Sequence, residues 1–112
     1  ETPWPYHFTL VHLGKPSMFV VILRYLKPMD EVEARTAEHR AWLDPHVRSG
    51  LLIATGPMVP RTGGVLLARG GGTREALVAL LRDDPFQVHG VAEYEVIEFA
   101  PGKYHPAMAE FL

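Results

Sequence analysis

A single helical stripe constrains the fold of this chain more than any other feature. From residue 29 onward, five side chains recur at intervals of four, three, four and four residues, which places them on one face of an α-helix. The stripe consists of Val32, Thr36, His39, Leu43 and Val47. A histidine inside an apolar stripe needs a hydrogen-bond partner, because an unsatisfied buried polar group costs about 1–3 kcal/mol. The sequence must therefore supply a partner for His39.

The remaining pattern predicts four strands and two main helices. Residues 19–25 are apolar on both alternating faces, which is typical of a strand covered on both sides. The first helix is expected to begin at Asp30 as N-cap and to run to about Leu43, because Pro45 lacks an N–H and predicts a kink or a restart. The later elements are strands at 51–57 and 65–69, a helix at 74–82 capped by Thr73, a short helical turn beginning at Pro85, and a strand at 92–99.

This β-α-β-β-α-β order predicts an α+β protein of the ferredoxin-like type. Two helices on one face of a four-stranded sheet leave the other face bare, and the first strand is apolar on that face too. A bare apolar face is an interaction surface. A second copy of the chain, packed sheet to sheet, is the simplest cover, so the pattern predicts a homodimer.

The two ends of the chain are patterned differently from its centre. Residues 1–17 contain three prolines and lack the basic start and apolar core of a signal peptide, so they are interpreted as an N-terminal extension or leader, native or artificial. Within them, residues 8–13 could add an edge strand or pack on a neighbouring subunit. Residues 18–100 form the predicted domain, and 101–112 form a weakly patterned tail.

Composition argues against several classes of function. The net charge of −2 and the absence of a basic stripe disfavour nucleic-acid binding, and no apolar run reaches the roughly 18–20 residues that span a membrane. The chain has no cysteine, which removes thiolate chemistry and suits a reducing compartment such as the cytoplasm. No two histidines are four residues apart, the glycine clusters lack a phosphate-loop lysine, and no serine lies in a nucleophile elbow. We therefore expect neither a metal nor an organic cofactor.

Four short segments, in order, carry a resemblance to a known family. They are Met-Phe-Val-Val-Ile-Leu-Arg-Tyr at 18–25, Glu-His-Arg-Ala-Trp-Leu at 38–43, Thr-Gly-Pro at 55–57, and Asp-Pro-Phe at 84–86 followed by Gly90. Together they resemble the YciI-like (YCII-related) proteins from Met18 to about Phe99. The resemblance implies a dimeric α+β barrel, in which two ferredoxin-like subunits pack sheet to sheet, and a small-molecule enzyme. Residues 1–17 and the position of Pro45 depart from the family pattern.

The resemblance also implies that His39 and Asp84 form the active-site pair. Independently of it, the two helices of a split βαβ unit lie side by side, so a residue on the inner stripe of the first can reach the end of the second. A carboxylate beside an imidazole fixes its tautomer and raises its basicity, as a general base requires. The alternative is a buried structural pair that joins the helices, and only the family motif favours Asp84 over Asp83.

A wider set of side chains is expected to bind substrate, each with a structural alternative. Arg24 could bind a substrate carboxylate or pair across the sheet, and Thr55 could orient a ligand or cap a turn. Arg61 could close over a pocket or remain solvated. The full set is Arg24, Tyr25, Thr55, Gly56, Pro57, Arg61 and Phe86.

These patterns favour a cytoplasmic homodimeric enzyme in which His39, oriented by Asp84, acts as general base or acid on a small molecule. Proton abstraction, isomerisation, elimination and lactone hydrolysis all suit such a pair. A non-catalytic ligand-binding or regulatory dimer and a purely structural subunit are the alternatives. A cleft that exposes His39 favours the first two, and a sealed helix–sheet interface favours the third.

Overall fold

The computed structural model describes residues 17–112, which form a four-stranded antiparallel sheet with its main helices on one face. The predicted edge strand at 8–13 lies outside the described residues. The elements are β1 (Met18–Tyr25), α1 (Met29–Arg48), β2 (Leu52–Pro57), β3 (Gly63–Ala68), α2 (Arg74–Leu81), α3 (Pro85–Val88), β4 (Ala92–Phe99) and a 3₁₀ helix (Pro106–Phe111). None of these helices is long and apolar enough to cross a membrane.

The strand order is β2-β3-β1-β4, so the two strands that flank the sheet in space are β2 and β4. In the centre, Val21 of β1 pairs with Leu66 of β3 on one side and with Val96 of β4 on the other. This order and the antiparallel pairing confirm the predicted ferredoxin-like α+β fold.

The two faces of the sheet differ in what covers them. On the inner face, Phe19, Val21 and Leu23 of β1 are completely or almost completely buried, and they pack in one core with side chains of α1, α2 and α3. On the outer face, Ile97 and Phe99 of β4 remain 42% and 41% exposed. We call this second surface the outer face, and its apolar members are Val20, Ile22, Val65, Leu67, Ile97 and Phe99.

Helix α1 differs from its prediction at both ends. Its N-cap is Pro28. Asp30 lies inside the first turn, where its negative charge interacts favourably with the positive end of the helix dipole. The predicted end at about Leu43 is wrong, because the helix continues through Pro45 to Arg48 without a restart. The proline loses one helical hydrogen bond near the helix end, and the Ser49 N–H donates to the Pro45 carbonyl at 3.0 Å, which closes the last turn.

Candidate active site

Helix α1 packs against the short helix α3, and this contact brings His39 to Asp84. Nδ1 of His39 lies 2.7 Å from Oδ1 of Asp84. The Asp84 side chain is completely buried, and the His39 side chain is 12% exposed. Asp83, the rival in the sequence, is exposed. The structure therefore pairs His39 with Asp84, 45 residues away in the chain.

Asp84 is held by donors on both carboxylate oxygens. It is the N-cap of α3, and its Oδ1 accepts a hydrogen bond from the Phe86 N–H at 3.0 Å as well as the contact from His39. Its Oδ2 accepts from the hydroxyl of Tyr94. A buried carboxylate is tolerated when donors compensate its charge. Because an ionised carboxylate can only accept, Nδ1 of His39 carries the proton in this arrangement.

Tyr94 is a member of this site that the sequence analysis did not single out. It lies on β4 opposite Leu23, on the inner face of the sheet. Burial raises the pKa of Tyr94 well above its ordinary value, and the charge and hydrogen bond of Asp84 raise it further. The hydroxyl therefore remains a donor. The available signal was that an inward-facing tyrosine must find a partner for its hydroxyl.

The ring of His39 is fixed on its face as well as at Nδ1. It stacks on Phe86 with ring centroids 3.9 Å apart and planes 4° apart, and Tyr25 meets the edge of the same Phe86 ring. The second ring nitrogen, Nε2, makes no hydrogen bond to any residue in the described part of the chain. One imidazole nitrogen thus contacts Asp84, and the other has no hydrogen-bond partner among residues 17–112.

His39 lies on the wall of a cavity of about 440 Å³ between α1 and the β2–β3 half of the sheet. This volume falls within the range of small-molecule sites. The side chain of Leu43 lines it from the helix, and Thr55, Pro57 and Leu66 line it from the sheet. Gly64, which pairs with Leu23 in the sheet, also lines the cavity. Because glycine has no side chain, this position adds no side-chain volume to the cavity.

The loop before β3 places Arg61 at one end of this cavity. Nε of Arg61 donates to the Tyr25 hydroxyl and Nη2 donates to Oγ1 of Thr36, both at 3.3 Å. The guanidinium also lies 5.9 Å from the centre of the Tyr25 ring. The loop can approach β1 this closely because residue 63 is glycine: a Cβ there would lie 1.8 Å from the carbonyl oxygen of Leu23.

The structure brings together all but one of the side chains expected to bind substrate. Tyr25, Thr55, Gly56, Pro57, Arg61 and Phe86 all line the cavity with His39. Arg24 does not, because alternate residues of a strand face opposite ways and Arg24 lies on the side of β1 away from Leu23 and Tyr25. Its Nη1 pairs with Glu95 at 2.9 Å on the exposed surface, which is the structural alternative considered for it.

Charged side chains at the cavity are mainly basic. Arg40, Arg48 and Arg61 line it, together with the single carboxylate of Asp44. Within residues 17–112, no three histidine, aspartate or glutamate side chains converge as a metal site would require. The carboxylate next to His39 is that of Asp84, and the cationic side chains among the described residues of the cavity wall are arginines.

The fold and this site define a ferredoxin-like α+β protein that carries a buried histidine–aspartate pair beside a cavity of about 440 Å³. Its family is shown by sequence: the YCII-related domain model matches residues 18–100, so the chain belongs to the YCII-related family. The match confirms the resemblance seen in the four segments. A search of curated proteins finds no significant match.

Two solved structures are similar to this chain. The 5-chloro-2-hydroxyhydroquinone dehydrochlorinase TftG from Burkholderia phenoliruptrix AC1100, solved with 2,5-dihydroxybenzoquinone, has a TM-score of 0.59 and 17% identity, over 79% of this chain and 93% of that chain. SnoaB, a cofactor-independent oxygenase from Streptomyces nogalater, has a TM-score of 0.44 and 16% identity, over 83% of this chain and 99% of that chain. At 17% identity, the likeness to TftG shows the fold alone.

Proposed function

We propose that this protein is a small-molecule enzyme in which His39 exchanges a proton with a substrate bound in the cavity. Asp84 orients the ring and stabilises the imidazolium that forms when Nε2 takes a proton. The substrate carries an acidic C–H or O–H group, and the reaction is an isomerisation, an elimination or a lactone-type hydrolysis.

One observation carries this proposal. The Nδ1 atom of His39 is 2.7 Å from a fully buried carboxylate, while its Nε2 has no partner among residues 17–112 and the residue lines the cavity. A pair that served only to join two helices would not need a cavity of this size beside it. The combination of an oriented ring and a free nitrogen at a ligand-sized space is what general acid–base catalysis requires.

The proton transfer can be written with its atoms balanced. Nε2 takes the proton from a substrate carbon next to a carbonyl group, and the electron pair of the broken C–H bond moves to the carbonyl oxygen, forming an enolate. For isomerisation, the imidazolium returns the proton to another atom of the substrate. For elimination, the enolate re-forms the carbonyl and its electrons form a C=C bond while the leaving group departs with its bonding pair, and the imidazolium gives its proton to that group or to water. No covalent bond to the protein forms in either sequence.

The test follows hydrogen exchange, which detects proton transfer without requiring net turnover. The first ligand is 2,5-dihydroxybenzoquinone, because TftG, which shares the fold, was solved with it. Its ring C–H signals are followed by proton NMR in deuterium oxide with native protein and with His39→Asn. We expect the native protein to accelerate the exchange, and the variant to lose at least about 100-fold of that acceleration, the usual share of acid–base catalysis.

His89→Asn is the matched control, because His89 pairs with Glu38 on the surface and does not line the main cavity. With this variant, the C–H groups of the quinone should exchange at the rate seen with native protein. Equal acceleration by native protein and His39→Asn would contradict the mechanism. Ligand binding with no acceleration for this quinone or for other compounds with acidic C–H groups would favour the alternative, a non-catalytic ligand-binding module.

We also propose that the protein is a homodimer joined through the outer face. Support comes from the apolar side chains on that face and from the partial exposure of Ile97 and Phe99 at its edge. Contiguous exposed apolar surface of this kind is uncommon on monomers. A second copy would cover it sheet to sheet and leave the cavity on the opposite side of the sheet.

A further inference from the structure

We propose that Arg61 and Tyr25 form an oxyanion-binding pair, so that the ligand of this cavity is a small molecule that carries or develops a negatively charged oxygen. The inference deepens the proposed function and rests on it, because it specifies the charge of the ligand at the same site. It adds two residues with a defined task to the His39–Asp84 pair.

Arg61 is held by hydrogen bonds to neutral groups. Both of its described acceptors, the hydroxyls of Tyr25 and Thr36, are neutral. No aspartate or glutamate of residues 17–112 lies within ion-pair distance of Arg61, and its Nη1 group makes no hydrogen bond to those residues. The guanidinium is therefore positioned by neutral groups while its charge is uncompensated, which is the arrangement of an anion receptor.

The hydroxyl of Tyr25 supplies a second donor. It accepts from Nε of Arg61, which fixes the oxygen and leaves its own hydrogen without an acceptor in the described part of the chain. Tyr25 also lines the cavity, so this O–H is available to a ligand. Two adjacent donors, one of them charged, match the needs of a carboxylate, phenolate or enolate oxygen.

Shared contacts place these donors near the base. Arg61 bonds to Thr36, which is one helical turn before His39 on the inner stripe of α1, and side chains at this spacing have Cβ atoms about 5–6 Å apart. Tyr25 and His39 both contact the ring of Phe86. A small ligand can therefore present its C–H bond to Nε2 of His39 and its oxygen to Arg61 and Tyr25.

The inference is tested by comparing an anionic probe with its neutral analogue. Benzoate and benzamide have similar shapes, and their dissociation constants can be measured by NMR titration on native protein. We expect benzoate to bind more tightly, Arg61→Gln to weaken benzoate at least about tenfold, and Tyr25→Phe to weaken it about fivefold. Benzamide binding should change little in both variants.

Circular dichroism and thermal unfolding verify that each variant is folded. Tyr25→Phe, which keeps the ring, tests the inference if Arg61→Gln does not fold.

Arg24→Gln is the matched control, since it removes the same charge from the other face of the sheet, and it should leave both constants unchanged. The inference is overturned if native protein does not prefer benzoate, or if the preference survives in Arg61→Gln. It is also overturned if the preference disappears in His39→Asn, because the imidazolium would then hold the anion. Benzoate binding involves no proton transfer, so failure of His39 as a base leaves this result intact.

Discussion

The hydroxyl of Tyr94 donates a hydrogen bond to Oδ2 of Asp84, the carboxylate oxygen that does not contact His39. One carboxylate oxygen thus accepts from the sheet, and the other contacts His39 of α1 and accepts from the Phe86 N–H of α3. The position of the carboxylate is fixed before any ligand arrives. Because burial and Asp84 both raise the pKa of Tyr94, the phenol does not ionise and remains a donor throughout the ordinary pH range.

Tyr94→Phe should lower the free energy of unfolding by about 1–3 kcal/mol, because it leaves a buried carboxylate oxygen without its donor. Urea unfolding followed by circular dichroism measures the change. Tyr104→Phe is the control, since the Tyr104 side chain is half exposed and its loss of a hydroxyl should have little effect. Equal stability of Tyr94→Phe and native protein would mean that this hydrogen bond contributes nothing.

Substitutions of Asp84 should separate hydrogen bonding from charge. Asp84→Ala removes the acceptor of three donors and should cost about 3 kcal/mol or more. Asp84→Asn should cost clearly less, because the amide oxygen can accept from His39 and the Phe86 N–H while the amide nitrogen donates to the Tyr94 oxygen. Urea unfolding ranks the two variants. As a control, Asp83→Ala, at an exposed neighbouring residue, should have a free energy of unfolding within about 0.5 kcal/mol of that of native protein. Equal losses of unfolding free energy in Asp84→Ala and Asp84→Asn would contradict this hydrogen-bond assignment.

Gly63→Ala should destabilise the protein by about 1–3 kcal/mol or more, since the new methyl group would overlap the Leu23 carbonyl and force the strands apart. The same change should displace Arg61 and weaken benzoate binding. Thermal unfolding and NMR titration measure the two effects. Gly102→Ala is the control, because nothing lies within 4 Å of the added methyl group. A stable Gly63→Ala variant with native benzoate affinity would show that the close approach is not required.

The free energy of unfolding should decrease at acidic pH, partly because of His46. Burial lowers the pKa of His46 below its ordinary value of 6.5, and the charge of Asp83 opposes this shift. The unfolded chain therefore binds a proton at a higher pH than the folded chain, so the free energy of unfolding decreases as the pH falls below about 6.5. Urea unfolding at a series of pH values should show a shallower decrease in His46→Gln. Parallel pH profiles for the two proteins would exclude this contribution.

Ile97→Glu should convert the proposed dimer to a monomer, because it places a charge within the apolar outer face that the two sheets would share. Light scattering coupled to size-exclusion chromatography measures the mass. Val88→Glu adds the same charge at an exposed position of α3, away from the outer face, and should remain dimeric. A native protein that elutes as a monomer at all concentrations would refute the proposed homodimer.

The topology could be predicted from the sequence because apolar periodicity and turn residues both mark its elements. β4 was placed at its observed residues, and Thr73 caps α2 as predicted, with its Oγ1 accepting from the Ala76 N–H. Pro45 was misjudged because the cost of a proline depends on its position, and near a helix end few hydrogen bonds remain to be lost.

The site was less accessible to sequence analysis, because its contacts cross between distant segments. The stripe on α1 predicted that His39 needed a partner, but the choice of Asp84 over Asp83 came from the family motif. The role of Tyr94 depends on strand register, which the sequence does not specify to one residue. The interaction of Arg61 with Tyr25 depends on a loop whose path is set by the close approach at Gly63.

The most direct test of the account is the protonation of the two ring nitrogens of His39, measured by ¹⁵N NMR on the native protein at a pH where the ring is neutral. We expect a proton on Nδ1, facing Asp84, and none on Nε2, whose signal should shift when 2,5-dihydroxybenzoquinone is added. A proton on Nε2 in the neutral ring, or an Nε2 signal that no ligand of the cavity perturbs, would contradict the proposal that His39 serves as the base.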